Sequence, residues 1–149
     1  MSPEEKAVFI AFIIAAKEVD AKTLPRLVDQ AVALVTLHDD KTLIGTAAIK
    51  QPSALHRTRT FIKAGCDNQA ASHPLELGWV HVHEDRRCQK HSYALVQEAM
   101  KSIGYHGVYA TTKNDGMRDK VLPKYGFVRA GKDFPSTLEP TESLSLFTR

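Results

Sequence analysis

Cysteine is scarce in this chain: Cys66 and Cys88 are the only two in 149 residues, too few and too far apart for a disulfide framework or a zinc ribbon. A reducing, cytoplasmic setting is the expectation. Long apolar runs are lacking as well. The one strongly apolar stretch, Ala7 to Ala16, is far shorter than the roughly 20 residues a membrane span needs, and it follows Glu4 and Glu5. Acidic residues in that place also argue against a secretory signal, whose lead segment is basic, so no membrane partner is expected. Charge of one sign is not in large excess, at a formal +3. Basic residues form no dense stripe interleaved with aromatics, so nucleic acid is not an expected partner. Outside the segment discussed next, Arg57, Arg59 and Lys63 make the only basic cluster, read as a solvated helix or loop face. Repeats and low-complexity tracts are missing too.

What is present fits one globular α+β domain spanning residues 1–149, since 43% hydrophobic and 25% charged residues suffice for a sizeable core. Ser2, Pro3 and Glu5 are the N-cap, first residue and capping-box partner of a helix through Ala16. A short second helix is expected near Pro25 to Gln30. Val32 to Leu37 and Thr42 to Ile49 alternate as two strands around the turn His38 to Lys41. Leu55 to Gly65 fits a helix through Leu55, Phe61 and Ile62, and Asp67 to His73 reads as a loop. Later come a helix from Tyr93 to Ile103, a strand at Gly107 to Thr112, a helix at Asn114 to Tyr125 and a strand opening at Gly126. Leu144 to Phe147 ends the series.

The richest segment is Glu76 to Val96, ELGWVHVHEDRRCQKHSYALV. A strand, with Leu77, Trp79 and His81 on one face and Gly78, Val80 and Val82 on the other, gives way at Glu84 to a basic turn. Ala94, Leu95, Ala99 and Ile103 then recur at helical spacing. The first N–H groups of such a helix lack intrahelical partners and carry the positive end of its dipole, which suits a phosphate or pyrophosphate. Arg86, Arg87 and Lys90 add positive charge at that corner.

The register of this segment resembles the cofactor-binding segment of the GNAT superfamily of N-acyltransferases. That family carries a strand E-L-x-x-(apolar)-x-V, here Glu76, Leu77, Val80 and Val82, and then a turn Q/R-x-x-G-x-G/A. The matching turn is Arg87, Cys88, Gln89, Lys90, His91 and Ser92, with Lys90 where the central glycine is expected. Farther on, Asn114 and the ending Lys124, Tyr125, Gly126, Phe127 resemble the family's N-x-x-(small)-x-x-x-Y-x-K-x-G-F pattern, at a spacing one residue longer. The likeness spans roughly Val32 to Val128. It implies a central mixed, mostly antiparallel sheet flanked by helices, with a further strand somewhere before Glu76.

The resemblance also implies a chemistry, the direct transfer of an acetyl group from acetyl-CoA to a primary amine of a small molecule or peptide. Such transfer needs a general base and a donor that polarises the thioester carbonyl. Glu76 is the family's usual base position, with His81 and His83 as competitors because imidazole titrates near neutrality. Val80 and Val82 are the main-chain donors, and Arg87 to Ser92 the pyrophosphate turn. Asn114 is both a helix N-cap and a contact to the pantetheine arm. The family's acid, a tyrosine four residues before the glycine, is replaced by Leu122, which leaves Tyr125 as the nearby phenol. Trp79 reads as core and Cys88 as a turn residue, since direct transfer needs no acyl-enzyme. His81, His83, Glu84, Cys88 and His91 match no usual zinc spacing, so no metal is expected. Family enzymes are often dimers. The rival reading is a GNAT-fold domain that binds a ligand or a protein partner after losing catalysis, with Lys90 and Leu122 as its marks. The first helices, the Asp67 to His73 loop and Phe134 to Thr141 are expected to line the acceptor pocket.

Overall fold

The computed structural model describes residues 1–16 and 19–149. Helix α1 (Pro3–Ala15) starts as its sequence dictates: the Ser2 hydroxyl accepts from the Glu5 amide and the Glu5 carboxylate accepts from the Ser2 amide. Helix α2 (Leu24–Gln30) follows, then strands β1 (Ala33–Asp39) and β2 (Thr42–Lys50), an antiparallel pair whose turn places Asp40 at φ 57°. Helix α3 (Ala54–Lys63) is opened by the Ser53 side chain, which accepts from the His56 amide. Between β2 and the next strand the described residues hold helix and a 3₁₀ turn (Asp67–Ser72), not the additional strand that the resemblance implied. Ser53 capping and the helical spacing of Arg57, Phe61 and Ala64 decide that stretch.

Strand β3 (Leu75–Val82), helix α4 (His91–Met100), strand β4 (Val108–Thr112), a π-helical turn (Met117–Val121) running into α5 (Leu122–Lys124), and strands β5 (Val128–Pro135) and β6 (Ser143–Thr148) complete the order. The strands form one six-stranded sheet in the order β1-β2-β3-β4-β6-β5. Only the β3/β4 pair is parallel, and the other four neighbours are antiparallel. This is the mixed, mostly antiparallel sheet flanked by helices that the motifs implied.

Apolar residues cover both faces of the sheet. On one face Leu95, Val96 and Ala99 of α4, with Val121, Leu122 and Phe127, bury Ala47, Ile49, Leu77, Val108 and Ala110. On the other, Phe9 and Ile13 of α1 with Leu24 and Val28 of α2 pack on Ala48 and Trp79, while Phe61 and Ala64 of α3 pack with Tyr109, Ala130, Phe134 and Leu146. The expected alternation along β3 therefore fails at one point. Leu77 and Trp79 lie on opposite faces, and Val80 and Val82 join Leu77 against the α4 side. The cause is a bulge: Gly78 pairs with Ala48 and His81 with Thr46, so two residues of β3, Trp79 and Val80, stand opposite Ala47. Trp79 takes φ 50°, and its carbonyl accepts from the buried Thr46 hydroxyl at 2.8 Å.

The extra residue between Asn114 and Gly126 also has a physical place. Leu122 donates its backbone N–H to the Met117 carbonyl, five residues back, so the helix absorbs the insertion as a π turn without displacing Gly126 and Phe127. In β5, Gly131 sits at φ 65°, where an added Cβ would stand 2.1 Å from the Ala64 carbonyl oxygen, itself the acceptor for Lys132 N–H at 2.8 Å. Gly131→Ala combines a left-handed backbone with a backbone clash. It is expected to destabilise the fold by about 2 kcal/mol or more, read as a lower denaturant midpoint at unchanged slope.

Candidate functional site

The parallel contact between β3 and β4 is short. It comprises Leu75 opposite Val108 and Glu76 opposite Tyr109, although β3 continues to Val82 and β4 to Thr112. Beyond Glu76 the two strands part toward their carboxyl ends, and the main chain of Leu77 to Val82 faces no strand on that side. Backbone N–H groups in such a gap can pair with an extended polar ligand, as at other openings beyond the ends of parallel strands. Val80 and Val82, the expected main-chain donors, lie on this stretch.

The turn at the open end is shaped by two left-handed residues. Cys88 has φ 65° and Lys90 φ 63°, ψ 19°, with Lys90 serving as the N-cap of α4. Lys90, standing where a glycine was expected, adopts the left-handed conformation that a glycine takes most readily. Lys90 supplies no side-chain cap, and the first turn of α4 holds no acidic residue, so the positive end of the helix dipole is not neutralised by its own sequence. Arg87 folds back to donate its Nε to the Val82 carbonyl at 3.3 Å, and Gln89 Oε1 lies 3.1 Å from His91 Nε2. A cleft of about 250 Å³ lined by Lys90, Tyr93 and Lys124 adjoins the turn, and the Lys124 ammonium stands 4.9 Å from the Tyr93 ring centre. Ser92 is half-buried in the same first turn and Cys88 is exposed.

At the point where the strands part, Glu76 is buried, 7% exposed, on the face opposite α4. Lys50, its partner across the β2/β3 pair, brings Nζ to 3.3 Å from Oε1, and the Tyr109 hydroxyl donates to the same oxygen at 3.4 Å. The lysine stem lies over Gly78, where an added Cβ would stand 2.6 Å from Lys50 Cδ, and Nζ sits 4.8 Å from the Trp79 ring centre. Burial pushes the Tyr109 phenol far above its ordinary range, the Glu76 carboxylate pushes it further, and Arg57 acts in the opposite direction. Tyr109 therefore holds its proton and donates it in a hydrogen bond to Glu76. Sequence reasoning found Glu76 but neither Lys50 nor Tyr109. Their only signal was the register of three strands.

The remaining candidates are dispersed. His81 is half-buried on β3 past the bulge. His83 lies beyond the end of the strand, exposed, with Nδ1 accepting from the Asp85 amide at 3.2 Å. Asn114 acts as a cap: its Oδ1 accepts from the Met117 amide at 2.9 Å. Tyr125 donates its hydroxyl to the Tyr93 carbonyl at 3.0 Å, tying α5 to the start of α4, and Leu122 is fully buried in the core. Among the described residues, no three His, Cys, Asp or Glu side chains gather as a metal-binding group, and no helix is long and apolar enough to cross a membrane.

The left-handed backbone at Lys90 costs a side-chain-bearing residue about 1–2 kcal/mol, and glycine gives back part of that through chain entropy. Lys90→Gly is thus expected to stabilise the protein by up to about 1 kcal/mol, a rise of a few degrees in Tm for a chain of this size. An unchanged or lower Tm would count against the strain assigned to this turn.

No family model matches the sequence, and no curated protein matches it. Solved structures do. The chain is similar over 100% of its length to an acyl-CoA N-acyltransferase from Pseudomonas aeruginosa, covering 92% of that chain at 12% identity and a TM-score of 0.65. FeeM, an N-acyl amino acid synthase from uncultured soil microbes, is matched over 99% of this chain and 87% of its own at 10% identity and a TM-score of 0.70. A putative acetyltransferase from Salmonella typhimurium, solved with its cofactor acetyl-CoA, is matched over 97% and 86% at 12% identity and a TM-score of 0.65. Across its whole length, then, this chain has the fold of the GNAT acyl-CoA N-acyltransferases.

Proposed function

We propose that this chain is a single-domain N-acyltransferase that moves an acetyl group from acetyl-CoA directly to the primary amine of a small molecule or peptide. The observation that carries the reading is the parting of β3 and β4 just past Glu76 and Tyr109, beside a turn with the glycine-like backbone at Lys90. The amides at the start of α4 and the basic residues Arg87 and Lys90 would hold the pyrophosphate, and the free β3 edge at Val80 and Val82 the pantetheine arm. Acetyl-CoA would supply the acyl thioester.

The side chains of the chain have the remaining work. Glu76 receives the proton that the acceptor's ammonium must lose before its nitrogen can attack. Lys50 and Tyr109 fix the carboxylate in place, so its orientation is set before an acceptor arrives. An N–H of the β3 edge polarises the thioester carbonyl. Tyr125, bound to the Tyr93 carbonyl, is placed to steady the first turn of α4, and a coenzyme A thiolate leaves without a dedicated acid. His81 and His83 are weaker candidates for the base than Glu76, because neither shares its place at the fork. Against the rival reading, a fold that kept its shape and changed its task, stands the left-handed backbone of Lys90, the conformation that glycine favours.

A ligand that binds only the native state raises its stability by RT ln(1 + [L]/Kd), about 2.7 kcal/mol at a hundredfold excess over Kd. Acetyl-CoA is therefore expected to raise Tm by several degrees, and no shift at millimolar concentration would remove the transferase reading. Glu76→Gln is expected to keep that shift while lowering thiol release with an amine acceptor by about 10²-fold or more. Equal turnover in the variant would dismiss Glu76 as the base.

A further inference from the structure

Lys50 holds Glu76, and in doing so it brings an amine of the chain itself to the proposed base. Its Nζ lies 3.3 Å from Glu76 Oε1, close to the reach of direct proton transfer. The stem crosses over β3 at Gly78, where an added Cβ would stand 2.6 Å from Cδ and 3.5 Å from Nζ, and the ammonium ends 4.8 Å from the Trp79 ring centre. Gly78 lies two residues past Glu76, the last residue of β3 that pairs with β4. The amine therefore sits over the part of β3 whose β4 side is open. Its side chain is 19% exposed, so the ammonium is enclosed but not sealed.

A carboxylate that accepts a proton and an aromatic face that attracts a cation are what a site for a substrate ammonium needs, and Lys50 presents its own ammonium to both. Neighbouring strands lie about 5 Å apart, so the lane that β4 vacates begins within about one strand spacing of Nζ. A flexible four-carbon stem covers such a distance by rotation. An amine held on the same chain as the base also reacts at an effective concentration that a free acceptor does not reach.

We propose that Lys50 is itself an acceptor, acetylated on Nζ by acetyl-CoA bound to the same molecule. The inference rests on the transferase reading and adds a site of self-modification to it. Glu76 takes one proton from the Lys50 ammonium, and the freed lone pair bonds to the acetyl carbon. The carbon–sulfur bond breaks with its electron pair going to sulfur, and the second proton leaving nitrogen converts the coenzyme A thiolate to the thiol. An uncharged acetamide then stands where the ammonium was. The salt bridge to Glu76 is lost, and the Tyr109 hydroxyl is left to hold the carboxylate.

The test incubates the full chain with acetyl-CoA and no added amine and follows each lysine by peptide mass mapping, with Tm and thiol release to a panel of amines measured separately. Lys50 is expected to gain an acetyl group at least about tenfold faster than the exposed Lys22 and Lys41, with a rate constant that does not change when the protein is diluted. Uncatalysed acetylation would give the opposite order, since an ion-paired and enclosed lysine reacts more slowly than an exposed one. Glu76→Gln is expected to slow the reaction at Lys50 by about 10²-fold while keeping the rise in Tm with acetyl-CoA. Lys50→Arg is expected to remove the fast-reacting site and keep the same rise. If acetyl-CoA raises Tm and amines are acetylated, but Lys50 reacts no faster than the exposed lysines or as fast in Glu76→Gln, self-acetylation is overturned and the transferase reading stands. A rate constant that climbs with protein concentration overturns it too, because one molecule is then acetylating another. If acetyl-CoA raises Tm in no variant and releases no thiol to any amine or to Lys50, the transferase reading fails and the inference with it.

Discussion

Strand β3 has to do three incompatible things within eight residues, and the rest of the structure is arranged around that constraint. It must pair along its length with β2, part from β4 after two residues, and deliver the chain into the turn before α4. A regular strand that pairs on one side has no reason to bend away on the other. The bulge at Trp79 and Val80 supplies the reason, since an extra residue increases local twist and bends the strand. It also re-aims the side chains, so that Trp79 meets α1 while Val80 and Val82 reach α4. Thr46, a buried hydroxyl on β2, accepts the geometric consequence by donating to the carbonyl that the bulge displaces.

The polar cluster at the fork follows from the same constraint. Glu76 is the last residue of β3 that pairs with β4, so its carboxylate lies where the sheet is still closed but about to open. A lone buried carboxylate there would be unfavourable. Lys50 from β2 and Tyr109 from β4, its two neighbours in register, satisfy it from both sides, and Gly78 leaves the space through which the lysine stem passes. Three consecutive strands thereby place one oriented carboxylate beside a gap.

Much of this was legible before any coordinates. The capping box at Ser2 and Glu5, the hairpin around Asp40 and the strand from Glu76 to Val82 follow from local chemistry, and local chemistry is written in contiguous residues. Glu76 and the turn at Lys90 were placed by motif spacing. The structural meaning of Lys90 was not, because a residue type does not announce a positive φ. Trp79 was assigned to the wrong face since a bulge has no composition of its own. Lys50 and Tyr109 each looked ordinary, one a strand-end lysine and the other a core aromatic. Their connection to Glu76 exists only in the register of the sheet. Arg57 was read with the exposed Arg59 and Lys63 as a solvated face, yet it is half-buried with its Nε covered, since a helix face is decided by what packs below it and not by the charge of a cluster.

The π turn at Met117 to Val121 bears on how such a chain can change over time. Helix α4 and strands β4, β5 and β6 are locked by burial, and a one-residue slip in any of them would turn core residues outward. The widened turn is different: it holds one residue more than an α-helical turn while still burying Val121 and Leu122 in the core. It works as a length joint between β4 and β5. One residue is taken up there while Gly126 and Phe127 still reach the core and the start of β5, so a change of chain length is absorbed within a helix and not in a loop.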